Sequence, residues 1–304
     1  MKIAGIETIQ APEQENTLWV LVHTDEGITG LGESFRSTGA IASYIHETCA
    51  PLLLGKDPRA IPEHQHALLQ LAGSRFHGFP TRSIELRGNS AIDIALWDIL
   101  GQSLDAPIHQ LLGGLARPRI RGYNTCANAD YNAARSDGGG QFLVPGTGLS
   151  AAVRGIDDYD LAMLHPDELA LDLLESGIDA MKIWPFDRLA VDSRGGEITL
   201  AGLKSCVSLV ERIREAVGDR MEILMEYHGR WQLPAALRIA RALEPLDIYW
   251  HEDPVQMDNF ADLERFARAA RGMTAGSESH GTKEWFREVL LRGQSTSRYS
   301  TSVG

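Results

Sequence analysis

Apolar and polar positions alternate with period two at the start of the chain and switch to helical spacing soon after. Residues 2–10, 17–24 and 28–34 read as strands, and Asp25-Glu26-Gly27 supplies the turn between the last two. Helical patterns follow over 39–54 and 61–73. The clearest helix covers 89–103, where Ala91, Ile92, Ala95, Leu96, Ile99 and Leu100 recur on one face behind Asn89 or Ser90 as N-cap. A meander followed by helices is an α+β unit.

The pattern then changes. Strands are predicted over 120–126, 179–184, 222–227, 247–252 and 273–278. Helices alternate with them over 167–176, 200–217, 232–243, 259–271 and 282–292, with Gly177 as a stop. This β/α alternation is the signature of a parallel barrel. Residues 127–160 are rich in Gly, Asn, Asp and Ser without periodicity, which predicts a long lid or binding loop.

Three of the predicted strands carry a glutamate at or next to their last residue: Glu226, Glu252 and Glu278, 26 residues apart at each step. A strand, a helix and two short loops take roughly that length. Successive barrel strands therefore deliver three carboxylates to the C-terminal rim, where such barrels carry their chemistry. Three carboxylates converging on one point repel unless a hard cation joins them, and Mg²⁺ is the usual choice.

Composition narrows the classes. The chain has 304 residues, 43% hydrophobic and 23% charged, as in a soluble globular protein. A net charge of −12 argues against a nucleic-acid partner, which needs a basic patch. Cys49, Cys126 and Cys206 are too few and scattered for a disulfide framework or zinc motif. No apolar run approaches the ~20 residues of a membrane span, and no signal-peptide core opens the chain. No membrane partner and a cytoplasmic location are the expectation.

The run from Asn89 through Ala91-Ile92-Asp93-Ile94-Ala95-Leu96-Trp97-Asp98 to Gln102, continued by Pro107 to Gly114, resembles the signature of the mandelate racemase/muconate lactonizing enzyme branch of the enolase superfamily. Lys182-Ile183-Trp184, Glu226-Tyr227-His228 and Glu252-Asp253-Pro254 follow in the family's order. The resemblance covers residues 1 to about 293. It implies an α+β capping domain, placed at 1–115, and a modified (β/α)7β TIM-type barrel, present here as a partial barrel at 116–293 with about five strands. It also implies Mg²⁺-assisted removal of a proton beside a carboxylate, a small carboxylate substrate and a homo-oligomeric full-length parent. The chemistry is physically sound, because a divalent cation stabilises the enediolate charge where it develops.

Residue by residue, the resemblance makes Glu226, Glu252 and Glu278 the metal ligands; the first is often Asp in relatives. Lys182 matches a position that touches the substrate carboxylate or acts as base. Trp184 stands where racemases often carry a second Lys, which counts against a two-base racemase. His228, two residues after Glu226, matches the Asp/Glu-x-His pattern of sugar-acid dehydratases, in which the His is general acid on the departing 3-hydroxyl. Arg230 and Trp231 follow at the rim, and His251 reads as structural. Arg36, Arg75, His77 and Arg82 are candidate contacts from the capping domain for a polyhydroxy acid. The leading expectation is thus a lyase that dehydrates a sugar acid. The alternatives are an isomerase, racemizing or epimerizing a hydroxy acid, and a non-catalytic fragment. Residues 294–304 depart from the family, six of the eleven being Ser or Thr, and no further strand follows. A truncated or frame-shifted relative, inactive as written, is the expectation for that end.

Overall fold

The computed structural model of the protein describes residues 1–70, 84–128, 157–276, 278 and 280–293. The described residues fall into two compact units, Met1–Ile120 and the residues from Arg121 onward.

The first unit carries strands β1 (Ile3–Ile9), β2 (Thr17–Thr24) and β3 (Thr29–Phe35) in an antiparallel sheet of that order. Period-two alternation puts Leu18, Val20 and Val22 of β2 on the buried face. Helices α1 (Thr38–Tyr44), α2 (Ala50–Leu53), α3 (Ile61–Gln70), α4 (Ile84–Leu104) and α5 (Ile108–Leu111) follow. A π-helical turn over Ile45–Cys49 joins α1 to α2, so the predicted helix over 39–54 is continuous. The apolar face of α4 (Ala91, Ile92, Ala95, Leu96, Ile99) packs with β2 in one core. Its backbone lies so close to β3 that a Cβ on Gly32 would sit 1.9 Å from the Ala91 carbonyl oxygen. Only glycine fits there.

One expectation for this unit fails. Helix α4 begins at Ile84, so Asn89 is no N-cap. It is a buried mid-helix residue whose Oδ1 accepts from the Tyr44 hydroxyl at 2.9 Å. Gly88 beside it makes room for the Tyr44 ring, which a Cβ would meet at 2.7 Å.

The second unit is a parallel sheet in chain order, β4-β5-β6-β7-β8: Asn124–Thr125, Ala180–Ile183, Glu222–Glu226, Trp250–Glu252 and Met273–Ala275. The described helices of this unit are α6 (Asp158–Leu164), α7 (Pro166–Glu175), α8 (Asp187–Ser193), α9 (Leu200–Val217), α10 (Leu233–Leu243), α11 (Phe260–Ala269) and α12 (Lys283–Gly293). Met181, Ile183, Ile223 and Met225 share the large core with helical residues such as Leu203, Val210, Ile213 and Ile239. The other face of the sheet holds a smaller cluster, Ala180, Leu224, Trp250 and Ala275 with Tyr123 and Met273. Strand alternation then assigns Lys182, Glu226 and Glu252 to that second face. Strand β4 is two residues long rather than seven, and Ile120 is exposed. Helices α6 and α8 are additions to the predicted set. Asp157 caps α6 by accepting from the Asp160 amide at 3.0 Å, a signal hidden behind the Gly-rich stretch. No described helix is long and apolar enough to cross a membrane.

Candidate metal centre and active site

Register builds the centre. Lys182 pairs with Leu224, Leu224 with Trp250, and Glu226 with Glu252. The two carboxylates therefore emerge side by side at the C-terminal ends of β6 and β7, at 0% and 6% exposure. Lys182, one strand over, reaches both: its Nζ lies 2.9 Å from Glu252 Oε1 and 3.3 Å from Glu226 Oε2. The remaining oxygens are also held. Glu226 Oε1 accepts from the backbone amides of Tyr227 and His228 at 2.9 and 2.7 Å. Glu252 Oε2 accepts from Trp250 Nε1 at 3.0 Å.

The electrostatics follow from burial. Burial raises the pKa of Glu226 well above the usual carboxylate range, and the neighbouring charge of Glu252 pushes the same way against Lys182. Burial alone would lower the pKa of Lys182, but Glu226 and Glu252 overcome it and hold the ammonium above its ordinary value. Tyr123 adds to this cationic site, its ring centroid 5.6 Å from Nζ.

Two buried carboxylates answered by a single ammonium form an all-oxygen donor set with excess negative charge. That set fits a hard divalent cation. Glu278 is not brought to the pair: the residue level with Glu252 on β8 is Ala275, and Glu278 lies three residues beyond, exposed in a turn. Among the described residues no group of three metal-ligating side chains converges.

His228 sits just past β6 with φ of 49°, in the left-handed region, so it leaves the strand pleat instead of continuing it. Its Nδ1 meets Asp187 Oδ2 at 2.6 Å. Arg230 donates through Nε to the same oxygen at 3.1 Å. Trp184 is buried, stacks on Tyr159 with centroids 5.7 Å apart, and presents its ring to His228 edge-on at 5.5 Å. Trp231 is buried in the core. Asp187 escapes sequence reasoning: it lies 41 residues from His228, in a short helix with no periodic signal.

His251 turns away from the centre, as alternation requires. Its Nδ1 accepts from the Tyr227 hydroxyl at 2.8 Å and its Nε2 donates to the Arg271 carbonyl at 3.0 Å. Burial pushes its pKa down to about 4, so the ring is neutral at pH 7. Arg36 belongs to the first unit, with its guanidinium 5.3 Å from the centroid of the Phe35 ring. Arg75, His77 and Arg82 lie outside the described residues.

An α+β unit followed by a parallel β/α sheet with buried carboxylates at its C-terminal strand ends defines a protein of enolase type. Residues 6–113 match the mandelate racemase/muconate lactonizing enzyme N-terminal domain, and residues 167–296 the enolase C-terminal domain-like family. An enolase of the mandelate racemase subgroup from Agrobacterium tumefaciens superposes with a TM-score of 0.79 at 43% identity, over 96% of this chain and 68% of that one. The chain belongs to the mandelate racemase/muconate lactonizing enzyme branch of the enolase superfamily. It is also similar to the D-galactonate dehydratase of Pectobacterium atrosepticum, 29% identical over 96% of this chain. The D-gluconate dehydratase of Thermoproteus tenax is 30% identical over 92% of it. The chain spans 65% and 50% of the lengths of these two relatives.

Proposed function

We propose that this chain forms part of a Mg²⁺-dependent lyase that dehydrates a sugar acid. The observation that carries the reading is the buried Glu226–Glu252 pair at the C-terminal strand ends, with Lys182 between the carboxylates and His228 two residues beyond the first. Relatives that act on galactonate, gluconate and xylonate supply the substrate class.

In this reading Glu226 and Glu252 hold the metal. The chemistry a bound Mg²⁺ contributes is stabilisation of the negative charge that develops on the substrate carboxylate as the adjacent C–H proton leaves. Lys182, kept as an ammonium, faces that carboxylate. His228 gives a proton from Nε2 to the departing 3-hydroxyl, which leaves as water. Arg230 and Trp184 shape the pocket around the polyhydroxy chain. The protein is a homo-oligomer with a cytoplasmic location.

The protein carrying this chain is to be given Mg²⁺ with D-galactonate, D-gluconate or D-xylonate, and the 2-keto-3-deoxy product trapped as a semicarbazone. Turnover of a sugar acid supports the reading. Racemization of a hydroxy acid with no dehydration would replace it by the isomerase alternative.

A further inference from the structure

Asp187 opens α8, in the connection that follows β5, and is completely buried. Its Oδ2 accepts from His228 Nδ1 and from Arg230 Nε, while its Oδ1 is buried with no hydrogen-bond partner. A buried carboxylate left half-satisfied is costly, and packing gives no reason for it. Besides its place in the first turn of α8, where the helix N-terminus favours a carboxylate, its return is what it does to its two partners.

We propose that Asp187 is the positioning residue for His228, holding a hydrogen on Nδ1 in both charge states of the ring and turning Nε2 toward the substrate. This rests on the reading of His228 as the proton donor. A carboxylate only accepts, so the 2.6 Å contact places the hydrogen on Nδ1. Nε2 is then the nitrogen that exchanges protons with substrate. The surroundings hold this arrangement in place. Trp184 packs edge-on against the imidazole and is itself stacked on Tyr159. The segment ending α8 is locked to the loop after β6: the Gln232 amide donates to the Gly195 carbonyl at 3.0 Å, and a Cβ on Gly195 would meet the Arg230 carbonyl oxygen at 2.0 Å. The left-handed backbone of His228 is what swings its ring out of the pleat and onto Asp187.

Proton and electron bookkeeping agrees. The C–O bond to the 3-hydroxyl breaks with its electron pair on oxygen, and the Nε2–H bond breaks as that oxygen takes the proton and leaves as water. The electrons of the new C=C bond come from the C–H bond beside the carboxylate, whose proton passes to a general base that is a separate group from His228. The imidazolium becomes neutral imidazole with its hydrogen still on Nδ1, in the same bond to Asp187, so no rearrangement is needed.

Asp187→Asn, Asp187→Ala and His228→Asn are compared with the unaltered protein. Two-bond ¹H–¹⁵N spectra of ¹⁵N-histidine-labelled protein report the His228 tautomer, and kinetics with D-galactonate, D-gluconate or D-xylonate and Mg²⁺ report kcat and KM separately. The unaltered protein should carry a hydrogen on Nδ1, both as imidazolium and as neutral imidazole. Asp187→Ala should shift His228 toward Nε2–H. Both Asp187 variants should lose about 10²-fold or more in kcat with KM little changed, the range expected for general acid catalysis. The isosteric Asn variant keeps the test valid if Ala impairs folding. Nε2–H without Nδ1–H in the unaltered protein, or full kcat in Asp187→Asn alongside an inactive His228→Asn, overturns the role of Asp187 alone. Full dehydration by His228→Asn overturns the donor reading and this inference with it.

Discussion

Glu226 and Glu252 are register partners at the ends of neighbouring parallel strands, and one ammonium, Lys182 Nζ, answers both. Their separation in sequence is one β/α unit, and their proximity follows from parallel pairing alone. Two like charges in a dry site are a liability for the fold and an asset for holding a cation.

That conflict predicts opposite effects of Glu226→Gln on stability and on binding. Removing one of the two buried negative charges should raise the unfolding free energy in EDTA by about 1 kcal/mol, the size common for relieving a functional strain. The same change should abolish the rise in melting temperature that Mg²⁺ produces in the unaltered protein. Calorimetry with and without Mg²⁺ checks both. An undiminished Mg²⁺ effect in the variant would remove Glu226 from the centre.

His228 acts at the leaving group, not at the carbon acid. His228→Asn should therefore slow dehydration by about 10²–10⁴-fold, the usual worth of a general acid. Exchange of the proton beside the carboxylate with D₂O should survive. Product formation and NMR of recovered substrate measure the two separately. Parallel loss of both would place His228 at proton removal instead.

Trp250 holds Glu252 through its indole N–H, on the oxygen that Lys182 does not touch. Trp250→Phe keeps most of the ring but removes the donor. Loss of a hydrogen bond that orients a metal ligand typically weakens metal affinity by about 10–100-fold. Titration calorimetry with Mg²⁺ should show that drop with little change in overall helicity. Unchanged affinity would mean that the carboxylate is held well enough by its strand.

Much of this was legible in the sequence, for identifiable reasons. The 26-residue spacing of Glu226 and Glu252 reflects the length of a β/α unit, and strand alternation sends His251 away from their face. Alternation also predicts that His228 faces as Glu226 does. The strand ends at Glu226, however, and a left-handed residue follows, so the ring meets Asp187. Asp187 leaves no trace in local pattern because its partners come from the next β/α unit. Asn89 has the residue type of an N-cap, but both it and Gly88 serve the tertiary contact with Tyr44 inside the helix. Glu278 shares the spacing but not the level, since β8 pairs with Glu252 through Ala275.

The most direct measurement is the initial rate of sugar-acid dehydration after chelation, followed by titration with Mg²⁺. A metal centre at Glu226 and Glu252 predicts no turnover in EDTA, saturable recovery as Mg²⁺ is added, and no recovery in Glu252→Gln at any Mg²⁺ concentration. Full turnover in EDTA, or a Glu252→Gln variant that recovers as the unaltered protein does, would contradict it.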